Sequence, residues 1–213
     1  MRHDTAPNGK ALSLRDEQKR LTRRRLIEGA LAAFEQKGYA ATTIDDIVAE
    51  ANASRATFYL HFKSKADVVL VMTETLGRRW RELYLELTSG GRLSRKVLYE
   101  WLDGVVENYQ TNRVSLEAID HAVAIEPVVA EVDLATRQES IAVMAESIER
   151  WYGGDGDDAR VRAALLLVQM DRFFDLWIIR GVPFDRERAV GALTDLWLSV
   201  LGSSAKGRAR SRR

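Results

Sequence analysis

The order of apolar and polar positions keeps a helical period along almost the whole chain. Between about Asp16 and Lys37, Ile27, Ala30, Leu31 and Phe34 recur at i, i+3, i+4, i+7, the spacing that lines one helix face. Gly38 then supplies a left-handed stop. Thr43 reads as the N-cap of a second helix, with Asp46 three residues on as a capping-box variant. Ile44, Ile47, Val48 and Ala51 give that helix roughly two turns. Ser54 caps a third, equally short helix with Phe58 and Phe62 on its inner side. Ser64 caps a long fourth, again with an acid, Asp67, three residues later, and its stripe is Val69, Met72, Leu76, Trp80, Leu83 and Leu87.

After the Gly90-Gly91 turn the pattern predicts helices over about Ser94–Gln110, Ser115–Ile125 and residues 128–152, with Pro127 ending one or starting the next. Gly153-Gly154-Asp155-Gly156 is the strongest loop signal. Two last helices, about Asp157–Arg180 and Asp185–Leu201, follow. The first carries Val161, Leu165, Val168, Phe173, Leu176 and Trp177 on more than one face, so it is buried on two sides. A dimer interface satisfies that requirement, and so does a central place in a larger monomeric bundle.

No run of strict alternation or dense set of hairpin turns interrupts this period, so the fold class is all-α. The expected domains are 16–65, a three-helix unit, and 66–202, a larger helical body. Polar arms, 1–15 and 203–213, read as disordered. With 46% hydrophobic and 30% charged residues the chain has the balance of a globular protein. It has no cysteine, hence no disulfide framework or thiolate site. Three scattered histidines, His3, His61 and His121, leave little for a histidine metal site. No apolar run approaches the roughly 18–20 residues of a membrane span, and no signal peptide is evident, which leads to the expectation of a soluble cytoplasmic protein.

The net charge of +1 hides a polarity. Residues 1–65 hold 12 Lys/Arg against 8 Asp/Glu, residues 66–202 hold 15 against 23, and residues 203–213 hold 5 against none. Basic ends on an acidic body hint at a polyanionic partner at one end, but charge alone favours two solvated basic tails.

The chemistry concentrates in Thr43–Phe62, TIDDIVAEANASRATFYLHF, where Asn52-Ala53 separates two short helices as in a helix-turn-helix. With Phe58 and Phe62 inward, the outward set is Ser54, Arg55, Ala56, Thr57, Tyr59 and His61. These suit DNA: Arg for a guanine edge, Ala and Thr methyls for thymine methyls, hydroxyls for phosphates.

Residues 22–76 resemble the DNA-binding domain of the TetR family of bacterial transcriptional regulators. The resemblance rests on ALAAFEQKGY, ATTIDDIVAEA and SRATFYLHFKSKADV, above all on Thr57-Phe58-Tyr59, His61-Phe62 and Ser64-Lys65. Asn52-Ala53 departs from the Gly and aliphatic residue common there, and Asn tolerates the left-handed backbone the turn requires. The resemblance implies a homodimer, joined through the last two helices, that binds a palindromic double-stranded DNA operator and usually represses transcription. A small molecule held by residues 66–202 would release the DNA. No cofactor is implied. Carried over by position, Thr43 and Lys65 match phosphate contacts, Arg55, Ala56 and Thr57 base-reading positions, and Tyr59 and His61 backbone and sugar contacts. Ser54 joins them from the outward set. The Arg23-Arg24-Arg25 run adds phosphate attraction, or is a solvated face.

In the family the effector pocket lies among the middle helices and the first of the final pair. Tyr109, Met144 and Phe174, with Trp101, Phe173 and Trp177, are aromatic or flexible candidates for its walls. Segments WLDGVVENY, LVQMDRFFDL and LTDLWLSVLG are similar to stretches of the mycobacterial ethionamide-resistance repressor. That likeness implies lining or neighbouring roles for Trp101, Asn108, Asp171, Leu176 and Trp197, with Asp171 and Asn108 orienting a ligand. Around Asp133 and Ser140 its channel aromatics are not matched. His121, on an apolar face, reads as a core histidine. An activator of the same fold and a helical adaptor that binds only protein remain as alternatives. A small helical enzyme finds no metal spacing, phosphate-binding loop or nucleophile motif in its support.

Overall fold

The computed structural model describes residues 13–90, 93–153 and 155–202. Every regular element among them is helical: α1 (Leu14–Ala41), α2 (Ile44–Glu50), α3 (Arg55–Tyr59), α4 (Lys65–Thr88), α5 (Arg95–Thr111), α6 (Arg113–Ile125), α7 (Pro127–Tyr152), α8 (Gly156–Phe174) and α9 (Arg186–Gly202). A π-helical turn, Asp175–Ile179, follows α8. The chain divides into two compact units between Val68 and Val69. Residues 1–12 and 203–213, Gly91, Arg92 and Gly154 lie outside the described residues, and so do most of the expected disordered arms and one glycine of each glycine pair.

In the first unit the caps are the ones the sequence predicts. Thr43 and Asp46 form a reciprocal capping box, the Ser54 hydroxyl accepts from Thr57 N (3.0 Å), and the Ser64 hydroxyl accepts from Asp67 N (3.3 Å). Helix α1 begins two residues before the expected Asp16, because Ser13 caps it by accepting from Asp16 N. Its helical geometry breaks at Gly38, φ 73°, before a last turn over Tyr39–Ala41. The buried side of α1 is rotated from the predicted one: Leu26, Ala30, Ala33 and Phe34 are buried, and Ile27 and Leu31 only half so. The cause is Gly29, where α1 runs against the backbone of α2 so closely that an added Cβ would stand 2.7 Å from Ala51 N. Asn52 takes φ 46°, the left-handed turn expected of it.

In the second unit Leu98, Leu102 and Val105 of α5, Met144 and Ile148 of α7, Leu166, Met170 and Phe174 of α8, and Val190, Leu193 and Trp197 of α9 form one core. Pro127 starts α7, at the position where its missing N–H costs nothing. The helix predicted to run to Arg180 is α-helical only to Phe174. Beyond it Arg180 N bonds to Asp175 O (2.9 Å), one residue wider than an α turn, and Gly181 closes the helix at φ 72°. Along α8 the apolar row Val161, Leu165 and Val168 stays exposed, as does Leu196 on α9.

Candidate nucleic-acid interface and cavity

Helix α3 has five residues, and Phe58 is the one it buries. Phe62, just beyond it, is buried beside Phe58 with ring centroids 5.7 Å apart. The opposite side of α3 presents Arg55, Ala56 and Tyr59, all exposed, with Tyr59 at 51%. Arg55 reaches Asp45 of α2 at 3.2 Å, an exposed pair screened by solvent, so the guanidinium is readily released to another partner. Ser54 and Thr57 share a hydroxyl–hydroxyl bond of 2.9 Å at the start of α3. Thr43 is exposed, and its hydroxyl is committed to the capping box, donating to Asp46 at 2.7 Å. Asp46 is held far below the ordinary carboxylate value, first by the Lys37 ammonium at 2.5 Å and then by the Thr43 N–H and hydroxyl.

His61 is half-buried, with a buried Nδ1 that has no partner. Burial, and then the charges of Lys19 and Arg23, hold its imidazole below the ordinary histidine value. Lys65, which by resemblance matches a phosphate contact, is engaged within its own unit. Its ammonium donates to three carbonyls at the end of α1, Tyr39 O (2.8 Å), Thr42 O (2.9 Å) and Ala40 O (3.1 Å), and lies 4.5 Å from the Tyr39 ring centroid. An ammonium has three donors, so a phosphate contact there has to displace one of these bonds.

The arginine run also has structural work. Arg25 donates to Ala51 O (2.9 Å) and Asn52 O (3.2 Å), which fastens the turn between α2 and α3 to α1. Arg23 donates to His61 O (3.0 Å) and stacks over Phe62 at 4.3 Å. Arg24 is exposed. Leu60, 78% exposed beside Tyr59, is a further outward residue that sequence reasoning passed over.

The second unit encloses a cavity of about 740 Å³ lined from α4, α5, α6, α7, α8 and the π turn. Of the eight residues singled out for a ligand, Tyr109 and Asp171 line it. Trp101, Met144, Phe174 and Trp197 sit behind the wall in the core: Phe174 packs on Tyr109 at 5.0 Å, Trp101 on Tyr84 at 5.7 Å and Trp197 on Trp101 at 5.6 Å. Leu176 is exposed and absent from the lining; Asn108, half-buried with a buried Nδ2 that has no partner, is also absent from it. The aromatic wall is instead Trp80, Tyr84 and Tyr109. His121 is exposed at the cavity rather than in the core, because α6 turns it away from Ala118 and Ala122.

A polar network crosses one side of this cavity. Tyr109 Oη donates to Asp171 at 2.5 Å, Arg137 donates to the other Asp171 oxygen, and Arg137 Nε donates to Asp133 at 2.7 Å. Burial works against the Arg137 charge, and the two carboxylates outweigh it and hold the guanidinium firmly protonated. Burial, followed by the Asp171 charge, pushes the Tyr84 and Tyr109 hydroxyls well up, so both stay neutral donors. Among the described residues no group of three or more His, Asp or Glu could hold a metal ion, and no helix is long and apolar enough to cross a membrane.

Residues 26–72 match the family model described as bacterial regulatory proteins, tetR family. The chain is 32% identical over 91 residues to the HTH-type transcriptional regulator YerO of Bacillus subtilis, covering 42% of this chain and 32% of that protein. Two further curated regulators are covered over 52% and 62% of their lengths. The HTH-type transcriptional regulator TtgR of Pseudomonas putida is 24% identical over 198 residues, 87% of this chain and 93% of TtgR. Among solved structures, Salmonella enterica GusR superposes with a TM-score of 0.68 at 20% identity, covering 92% of this chain and all of that one.

Proposed function

We propose that the chain, whose residues 26–72 match the tetR family model, is a TetR-type homodimeric repressor, released from a palindromic operator by a small molecule bound in the cavity of its second unit. The observation that carries this reading is the outward row Arg55, Ala56 and Tyr59 on a helix whose other side is fixed by Phe58 and Phe62. On this reading Arg55, Ala56 and Thr57 address base edges, while Thr43, Ser54, Tyr59 and His61 address the backbone.

Dimerisation is supported by the exposed row Val161, Leu165, Val168 and Leu196 on α8 and α9, apolar surface that this chain alone leaves in water. Two reading helices must then stand about one turn of DNA apart, roughly 34–36 Å. Helix α4 is the covalent lever: it starts at Lys65 in the first unit, and Thr73, Leu76, Gly77, Trp80 and Tyr84 along it line the cavity. A ligand shifts the protein toward release only by as much as it prefers the released conformer.

The test is a binding titration against DNA from just upstream of the gene, at two salt concentrations, with random DNA as competitor. Saturable, salt-sensitive binding that survives the competitor and weakens at least about ten-fold in Tyr59→Ala is the expected result. Tyr59→Ala bound as tightly as the parent refutes the reading face, and no binding at low salt refutes the repressor.

A further inference from the structure

The charge inside the cavity is lopsided. Its lining holds three guanidiniums, Arg137, Arg172 and Arg180, against five carboxylates. Each guanidinium is already occupied. Arg137 bridges Asp133 and Asp171, and Arg172 and Arg180 both sit on Asp175, at 3.6 and 2.8 Å. An anionic ligand therefore meets no lining arginine that it does not have to take from a carboxylate. The surplus negative charge is carried by α6, whose Glu117 and Asp120 both line the cavity. Glu117 is held only by Arg113 on its own helix, at 3.6 Å and outside the lining. The remaining wall mixes apolar side chains with Thr73, His121, Thr136, Gln138 and Ser140, and three of its rings, Trp80, Tyr84 and Tyr109, carry faces that attract a cation.

Resting on the effector-pocket reading above, we propose that this cavity takes a hydrophobic molecule bearing a positive charge, an amine or a quaternary or phosphonium centre, and discriminates against anions of the same shape. The apolar body lies against Leu76, Trp80, Ile141 and Leu167. The cationic centre lies toward Glu117 and Asp120; neither is ion-paired to a lining guanidinium, although Arg180, paired with Asp175, stands near enough for the Asp120 charge to act on it. A carboxylate-headed molecule of equal size loses on both counts, since it faces the α6 acids and finds each arginine engaged.

The test uses the purified full chain and three probes. N-phenyl-1-naphthylamine is neutral and lights up in apolar cavities. Tetraphenylphosphonium and tetraphenylborate share one shape and differ in sign. Fluorescence reads binding of the first and its displacement by the other two, and calorimetry reads each ion directly. The expected result is displacement by the phosphonium at a concentration at least about ten-fold below that of the borate. That preference shrinks toward unity in Glu117→Gln/Asp120→Asn, a pair on the accessible side of α6 whose replacement leaves the far-UV circular dichroism unchanged. A borate that binds as well as the phosphonium, or a preference untouched by the double substitution, overturns the charge inference while leaving the effector pocket in place. If none of the three probes binds, the pocket reading itself falls.

Discussion

Gly29 is where the first unit is least forgiving. A Cβ built there would lie 2.7 Å from Ala51 N and 2.8 Å from both Ala51 Cβ and Ile47 O. Two of these are backbone atoms, which no rotamer change can move aside. Ordinary contact begins near 3.4 Å, so Gly29→Ala has to drive α2 from α1 by about 0.7 Å, and overpacking of this kind costs about 1–3 kcal/mol. Alanine also raises helix propensity by about 1 kcal/mol. The same exchange at Gly104, inside α5 with nothing within 4 Å of the added Cβ, keeps that gain without the clash. Gly104→Ala is thus expected to stabilise by about 1 kcal/mol, and the two variants should differ by the packing cost of about 1–3 kcal/mol. Hydrogen exchange read by peptide mass spectrometry reports each unit separately, at about ten-fold in protection per 1.4 kcal/mol. Because α2 also positions the turn into α3, Gly29→Ala should weaken DNA binding as well. Protection of the α1–α2 peptides at or above the parent level in Gly29→Ala would refute the close-approach argument.

Lys65→Met removes the donor for three carbonyls at the end of α1 and is expected to destabilise the first unit by about 1–3 kcal/mol; an unchanged urea midpoint would mean those bonds contribute nothing. Leu196→Glu alters a 44% exposed side chain, so a folded monomer is expected by light scattering and circular dichroism, and a persisting dimer places the interface elsewhere. His61 is held below its ordinary value, so the unfolded chain takes up its proton first as pH falls. The stability this gives is full above about pH 6.5 and is lost as pH falls through the lower folded value. His61→Gln should flatten that slope in denaturation curves collected across the range, and an identical slope in both proteins contradicts the assignment.

The reading unit was legible because its determinants are local. Thr43 with Asp46, Ser54 with Thr57 and Ser64 with Asp67 all act across three residues, and Phe58 and Phe62 across four. Arg25 and Lys65 were not legible as clamps, since their carbonyl partners lie 23 to 27 residues away and leave no mark in a window the length of one helix. The rotation of the α1 face has the same origin, a contact between Gly29 and Ala51 that period alone cannot announce. In the second unit periodicity told which residues turn inward, such as Trp80, Trp101, Met144 and Trp197. It did not tell whether the inward side meets another atom or a hollow. That depends on how six helices are rotated together, so Trp101 fell one ring, and Trp197 two rings, behind the wall that Trp80 and Tyr84 form. Arg137 was missed because its partner Asp171 lies 34 residues away; the Asp133–Arg137 spacing of four was the one local hint.

Helix α3 separates two kinds of selection. Phe58, Arg25 and Lys65 hold the unit together, while Arg55, Ala56 and Tyr59 stay exposed, and of these Tyr59 alone sets its ring edge to face against Phe58, centroids 5.7 Å apart. Substitutions of Arg55 and Ala56 therefore cost the fold little, and those of Tyr59 chiefly its contact with Phe58. If the outward row reads DNA as proposed, a gene duplicate of this protein can drift toward a new target sequence by a few codon changes at Arg55 and Ala56, without first acquiring stabilising mutations elsewhere.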